Sequence, residues 1–322
     1  MALRLLMMGT GGFALPTFRA LLESAHEMVA LVTQPDRTGR GHHHHVNVMK
    51  EAALQANVPV FQPPRANAPE SLERLKEFAA DLFVVAAYGQ ILSADLLSIP
   101  PRGAINVHAS LLPKYRGAAP IQYAILNGET RTGVSIFQIE PRLDAGPILG
   151  MVETEIGAEE TSGQLETRLA ELAPPLTLQV IDDLEHGTAQ GTPQDPDQVT
   201  LAPRMAKSMG EIDWSRSSYD IACHVRAMQP WPMPYSFLHH GSAPLLRIIV
   251  LSTASVDSPD DSSDALSAGD LLTPDGKRLL VRTGDGLLEI TRLQPAGKRA
   301  MSTRDFLRGH ALTAGDRLGN EK

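Results

Sequence analysis

Six short apolar runs, spaced by polar or helix-patterned segments, limit the first half of this chain to few architectures. The runs are Leu3 to Met8, Met28 to Thr33, Pro59 to Phe61, Asp81 to Ala87, Ala104 to Val107 and Gly133 to Gln138. Strands that are apolar throughout are buried on both faces, which is the habit of parallel sheets covered by helices. The intervening segments supply those helices. Residues 13 to 24 place Phe13, Leu15, Phe18, Leu21 and Leu22 at helical spacing, and Lys50 to Ala56 and Glu70 to Ala80 continue the alternation. The rhythm predicts an α/β fold with a doubly wound, mainly parallel, Rossmann-like sheet. A long helix follows over 162 to 186, with an interruption expected at Pro174-Pro175.

At 322 residues one hydrophobic core does not suffice, so two domains are expected. Composition shifts at 187 to 204, which is rich in Gly, Thr, Gln, Asp and Pro and reads as a linker. The boundaries are therefore 1 to 186, a linker over 187 to 204, and 205 to 322. Beyond the linker, Tyr219 to Met228 reads as a helix. Tyr235 to Leu238, Leu246 to Leu251, Arg278 to Arg282 and Leu287 to Leu293 read as short strands separated by Pro274-Asp275-Gly276 and Gly284-Asp285-Gly286. A small β-barrel closes such strands. The acidic, Ser-rich insert at 255 to 267 reads as a mobile loop.

No apolar stretch reaches 18 residues, and the N-terminal run passes straight into glycines instead of a cleavage site. The single cysteine, Cys223, excludes an internal disulfide and reads as a small buried residue. These features suit a soluble cytoplasmic protein. The net charge of −8 argues against a polyanionic partner until it is divided along the chain. From Arg204 to the end there are 15 Lys and Arg against 14 Asp and Glu, leaving −9 for the rest. Residues 277 to 308 carry eight cations (Lys277, Arg278, Arg282, Arg292, Lys298, Arg299, Arg304, Arg308) against Asp285, Glu289 and Asp305. That local excess is a candidate polyanion footprint, although a solvated charged rim reads equally well.

Three features carry possible chemistry. Gly9-Thr10-Gly11-Gly12-Phe13-Ala14 fits a dinucleotide fingerprint and supports a nicotinamide-dependent dehydrogenase as an alternative. The second strand, however, ends Val32-Thr33-Gln34-Pro35, with its first acid, Asp36, only after the proline. The loop Asp36 to His45 is cationic, and its four histidines, His42 to His45, have no evident second set of metal ligands. The strongest feature is Asn106 and His108, two apart and so on one face of a core strand. Asp144, in Leu143-Asp144-Ala145-Gly146, is a third candidate that the fold can bring beside them. Ser110 lacks the context of a nucleophile elbow, so a hydrolase triad is disfavoured. An amide with an imidazole and a carboxylate suits carbonyl chemistry in which an oxyanion forms and a proton moves.

With these residues in hand, the chain resembles the folate-dependent formyltransferases from about residue 3 to 310. The matching segments include Gly9 to Ala14, Gln34-Pro35-Asp36-Arg37, Ala87 to Leu92, Ile105 to Pro113, Arg116 to Ile121 and Leu143 to Gly146. Ile212-Asp213-Trp214, Pro230-Trp231-Pro232 and Leu293 to Met301 are similar to the tRNA-acting branch. The resemblance implies formyl transfer from 10-formyltetrahydrofolate to the α-amine of methionyl initiator tRNA, without a metal. It implies Asn106, His108 and Asp144 as the catalytic set, with Asp144 raising the His108 pKa so that a protonated imidazole helps hold the oxyanion. Ser110, Leu111, Leu112, Pro113, Tyr88, Gly89 and Ile91 are implied to bind the folate. Arg37, Arg40, Lys298 and Arg299 are implied to bind tRNA on the catalytic domain and an OB-like barrel. A monomer is expected. Formyl transfer to an amino-sugar nucleotide and formyl-folate hydrolysis remain alternatives on the same residues.

Where family members continue the Gly39-Arg40-Gly41 loop with lysines, this chain has His42 to His45, which are largely neutral at pH 7. Binding of tRNA should therefore lean on Arg40 and tighten as pH falls toward about 6. Arg40→Ala is expected to weaken use of charged tRNA while leaving formyl-folate binding intact. Steady-state kinetics varying each substrate would check this, and equal loss for both would overturn it.

Overall fold

The computed structural model describes residues 2–36, 47–256, 266–313 and 315–321. Arg37, Arg40, His42 to His45 and most of the Ser-rich insert lie outside the described residues. Two compact units divide the chain. One comprises Met1–Pro120, Arg131–Glu155 and Gln164–Pro203, and the other Ile121–Thr130, Ile156–Gly163 and Arg204–Lys322.

The first unit contains strands β1 (Arg4–Gly9), β2 (Glu27–Val32), β3 (Val60–Phe61), β4 (Leu82–Ala86), β5 (Ala104–His108), β6 (Arg116–Gly117), β7 (Arg131–Gln138), β8 (Ile148–Glu155) and β9 (Leu201–Ala202). Its helices are α1 (Leu15–Leu22), α2 (Val48–Gln55), α3 (Pro69–Glu77), α4 (Ala94–Leu97) and most of α6 (Ser162–His186), while α5 spans Pro120–Leu126. Seven strands form one sheet in the order β3-β2-β1-β4-β5-β7-β8. The first four neighbouring pairs are parallel, while β7 runs antiparallel to β5 and β8 antiparallel to β7. The apolar runs read from the sequence form the sheet's centre, and every residue of β4 is buried. The unanticipated β8 is an edge strand whose residues alternate between half-buried and exposed from Met151 onward. Such a strand needs no continuous apolar run.

Helix α6 is unbroken through Pro174-Pro175, contrary to the interruption expected there. Leu165, Leu169, Ala173, Thr177 and Val180 are all buried, a stripe with helical spacing that runs past the prolines. Pro174 is half-buried and Pro175 exposed, so both rings lie off that stripe. Packing of the apolar face outweighs the local penalty.

Residues 187 to 203, expected to be a linker, pack within the first unit. The Arg116 N–H donates to Thr200 O at 2.9 Å and the Ala118 N–H to Ala202 O at 2.8 Å, flanking the parallel β6–β9 pair. The segment's polar side chains concealed a backbone engaged in a ladder.

The second unit holds α7 (Ser218–Ala227), α8 (Thr303–Gly309) and strands β10 (Tyr235–His239), β11 (Leu246–Ser255), β12 (Leu271–Leu272), β13 (Leu279–Arg282), β14 (Leu287–Pro295), β15 (Met301–Ser302) and β16 (Arg317–Gly319). The strand order is β12-β13-β14-β11-β10-β16, with β15 on β14. An Asp270–Arg317 bridge and a 2.8 Å bond from Leu318 N–H to Gly269 O bring the two ends together, nearly closing a barrel. Ile248, Val250, Val281, Ile290, Leu293 and Phe306 fill its interior. Cys223 is buried and free. No helix among the described residues is long and apolar enough to cross a membrane.

Restoring one N–H donor at an exposed point of a continuous helix should stabilise it. Pro175→Ala is expected to raise unfolding stability by about 1–3 kcal/mol in a denaturant titration. A loss of stability would show that the helix depends on the proline.

Candidate active site

Strand β5 carries the first two site residues. Ile105 and Val107 point into the core, with 0% and 2% of their surface exposed. Asn106 and His108 therefore share the opposite face. The Asn106 side chain is half-buried and makes no hydrogen bond among the described residues. His108 is buried, and Phe137 on the neighbouring strand meets its ring edge-on at 6.2 Å.

Asp144 arrives by a return path. Register places Gln138, the last residue of β7, opposite Ile105 near the start of β5. The loop after it doubles back along β5, so that Asp144 Oδ2 lies 3.8 Å from His108 Nδ1. Two glycines permit this. Any side chain at Gly146 would stand 1.8 Å from the Gln138 carbonyl oxygen, and one at Gly117 would stand 2.5 Å from that of Ala202. The Gly117 N–H donates to Asp144 Oδ2 at 2.7 Å. Asp144 itself has φ 45°, the left-handed conformation that aspartate tolerates better than most residues.

These contacts define the proton inventory. A carbonyl oxygen only accepts, so the 3.0 Å contact between His108 Nε2 and Tyr115 O places the ring proton on Nε2. In the neutral ring, Nδ1 then presents a lone pair toward the Asp144 carboxylate. At 3.8 Å the two acceptors do not bond, and the gap admits a donor between them. Burial drives the His108 pKa down, and it outweighs the upward pull of Asp144 and of the Tyr115 carbonyl. The expectation of an imidazolium maintained by Asp144 is corrected accordingly. In the neutral His108 ring the one N–H is already committed to Tyr115 O.

The Ser110 to Pro113 loop is locked from beneath. Ser135 Oγ–H on β7 donates to Ser110 O at 2.7 Å and accepts from Leu112 N–H at 3.1 Å. The Ser110 hydroxyl, fully buried, donates to Lys114 O at 2.7 Å, and the Leu112–Pro113 bond is cis. Ser110 and Leu112 thus hold the loop with enclosed side chains, leaving Leu111 and Pro113 half-buried.

Tyr88 is likewise a support. Its ring is 2% exposed among core residues that include Phe83 and Leu92, and its hydroxyl has no partner among the described residues. Burial pushes that hydroxyl up to about 12. Gly89 has φ 85° and open space beside it, and Ile91 is 80% exposed. Asn67 Nδ2–H steadies this loop through Ile91 O at 2.8 Å.

In the second unit, Lys298 and Arg299 are exposed in the turn between β14 and β15. Arg292 and Arg304 flank that turn, and none of the four makes an ion pair among the described residues. Arg278 and Arg308 are instead neutralised by Glu289 and Asp305.

Sequence reasoning missed Gln194, which lies within the supposed linker. Its Nε2–H groups donate to the carbonyls of Asp144 and Gly146, both at 2.8 Å. Its Oε1 accepts from Arg116 Nε and Nη2 at 3.0 and 2.7 Å. Nothing in its own segment marks it, because its partners lie 48 to 78 residues away along the chain.

The dinucleotide reading loses its acid. Asp36 is engaged by Lys50 and Gln62, which hold its carboxyl below the usual carboxylate range. His26, Asp182 and Glu185 lie close enough to resemble a cation site. However, His26 Nδ1 accepts from Leu3 N–H at 3.2 Å and Nε2 lies 3.3 Å from Asp182, so the ring keeps no free lone pair.

The "Formyl transferase" family model matches residues 2–181, and "Formyl transferase, C-terminal domain" matches 204–311. The chain belongs to the formyl transferase family. A methionyl-tRNA formyltransferase of Methylococcus capsulatus is 43% identical over 318 residues, covering 98% of this chain and all of the relative. The protein of that name from Rhodopirellula baltica is 42% identical, covering 98% and 97%. An N-formyltransferase from Helicobacter canadensis, solved with folinic acid and dTDP-3-aminofucose, shares the fold. Its TM-score is 0.66 at 16% identity, covering 89% of this chain and 98% of that one.

The protonation assignment is directly measurable. Burial holds the His108 pKa below that of a free histidine, which favours the neutral ring. Unfolded histidine takes a proton near 6.5, so this contribution to stability is intact above that pH and lost as pH falls through the lowered value. In an NMR titration, Asp144→Asn is expected to lower the His108 pKa further, because it removes an upward pull. A His108 protonated at pH 7 would overturn the assignment.

Proposed function

We propose that this formyltransferase moves the formyl group of 10-formyltetrahydrofolate to the α-amino group of methionyl initiator tRNA, in the cytoplasm and as a monomer. The observation that carries this reading is the pair of proton acceptors, His108 Nδ1 and Asp144 Oδ2, facing each other across 3.8 Å beside an uncommitted Asn106 amide. An ammonium group fits between two acceptors, one of them anionic. Asp144 attracts and orients that cation, and His108 Nδ1 takes one of its protons. The free amine attacks the formyl carbon. Asn106 Nδ2–H donates to the formyl oxygen as it gains negative charge. As the new C–N bond forms and the bond from carbon to N10 breaks, His108 gives the proton it took to N10, and the second amine proton leaves through Asp144 to water. Net, one formyl group and one hydrogen exchange places and one proton of the ammonium is released.

The folate fits the loops nearby. A flat ring system calls for apolar cover and backbone polar groups, which the Gly89 to Ile91 loop supplies through its exposed isoleucine and open glycine. Tyr88 and the Ser110 to Pro113 loop fix the wall behind it. For tRNA, Lys298 and Arg299 offer uncompensated charge to phosphates, with Arg37 and Arg40 as the catalytic unit's contribution. Relatives of the same name at about 40% identity favour this acceptor over an amino sugar.

The test supplies 10-formyltetrahydrofolate with methionyl initiator tRNA, uncharged tRNA, an amino-sugar nucleotide or no acceptor. Formyl-methionine should be recovered only from the charged tRNA. Asn106→Ala is expected to lower kcat by about 10²–10³-fold, the usual cost of an oxyanion donor. Turnover without an acceptor, or with the amino sugar alone, would defeat the proposal.

A further inference from the structure

Gln194 is placed to govern Asp144 through the backbone of its loop. All of its side-chain hydrogen-bonding capacity is spent on two segments. Both N–H groups go to the carbonyls of Asp144 and Gly146, and its oxygen takes a two-pronged contact from Arg116. Arg116 precedes Gly117, whose N–H holds the Asp144 carboxylate. One amide therefore joins the backbone of the Asp144 loop to the strand that grips the Asp144 side chain. We propose that Gln194 is a positioning residue for formyl transfer, setting the distance between Asp144 and His108.

The need for such a clamp follows from Asp144 itself. A non-glycine residue at φ 45° relaxes toward negative φ unless its surroundings oppose it. The Asp144 carbonyl, fixed by Gln194, opposes that rotation on one side, and the Gly117 N–H opposes it on the other. Arg116 adds a cation near Asp144, with Arg142 close enough to affect Arg116 in turn. Facing His108 are the Asp144 carboxylate, the Tyr115 carbonyl and the Phe137 ring edge. Among the described residues, Asp144 is the charged group that acts on the imidazole, so its displacement registers there directly.

The inference rests on the catalytic reading of Asp144, and the variants separate the two. Gln194→Ala should lower kcat by about 10²-fold, the scale of an ångström's misplacement, with KM for both substrates little changed. Gln194→Glu keeps an oxygen for Arg116 but loses both donors, so it should be as impaired as the alanine variant. In each, the NMR pKa of His108 should fall toward its value in Asp144→Asn, an effect that lost folding alone does not produce. Thermal melts of each variant check that the protein is folded. The double variant Asp144→Asn with Gln194→Ala should be no slower than Asp144→Asn alone. If Asp144→Asn is fully active, the catalytic reading fails. If Asp144→Asn is impaired while Gln194→Ala keeps normal kcat and His108 pKa, or Gln194→Glu is normal, the positioning role alone is overturned.

Discussion

The site depends on a carboxylate held close to a buried imidazole without bonding to it. Were Asp144 in hydrogen-bond contact with His108, the ring proton would move to Nδ1 and leave no lone pair there. At 3.8 Å, with Nε2–H committed to Tyr115, the lone pair persists and an acceptor-lined gap opens. Burial maintains the neutral ring by penalising charge more than Asp144 rewards it. The two effects oppose each other, and burial is the larger.

Backbone geometry sustains that gap. Because β7 reverses the direction of the sheet, its end falls at the wrong edge for chemistry, and the following loop must return along β5. The return is feasible because Gly146 and Gly117 allow the backbones to approach where a Cβ would clash with a carbonyl oxygen. Polar groups hold the loop in place, through the Gly117 N–H and the Gln194 amide. The apolar sheet beneath supplies rigidity, and the Ser135 hydroxyl transmits it to the Ser110 to Pro113 loop.

The second unit keeps its apolar core apart from a local excess of positive charge. Its barrel interior is wholly aliphatic and aromatic in the main cluster, whereas the β14–β15 turn projects exposed cations that make no ion pair among the described residues. Two of the eight basic residues in this stretch are cancelled by neighbouring acids. Lys298 and Arg299, with Arg292 and Arg304 beside their turn, form a narrower exposed cluster than the sequence count implied. A net charge of −8 averages this patch away.

Much of this was legible in the chain. The apolar runs identify the central strands because burial on both faces leaves no polar position in them. The spacing of Asn106 and His108 puts them on one face because strand side chains alternate. The barrel strands are marked by turns such as Pro274-Asp275-Gly276. Tertiary structure alone decided the rest. Helix α6 ignores two prolines because its buried stripe lies on another face. The polar 187 to 203 segment joins the first unit because backbone pairing leaves little trace in composition. The protonation of His108 follows from how deeply it is buried and from an oxygen seven residues away. Periodicity reports which face a residue occupies, but proton affinity is a sum over neighbours that only the folded chain brings together.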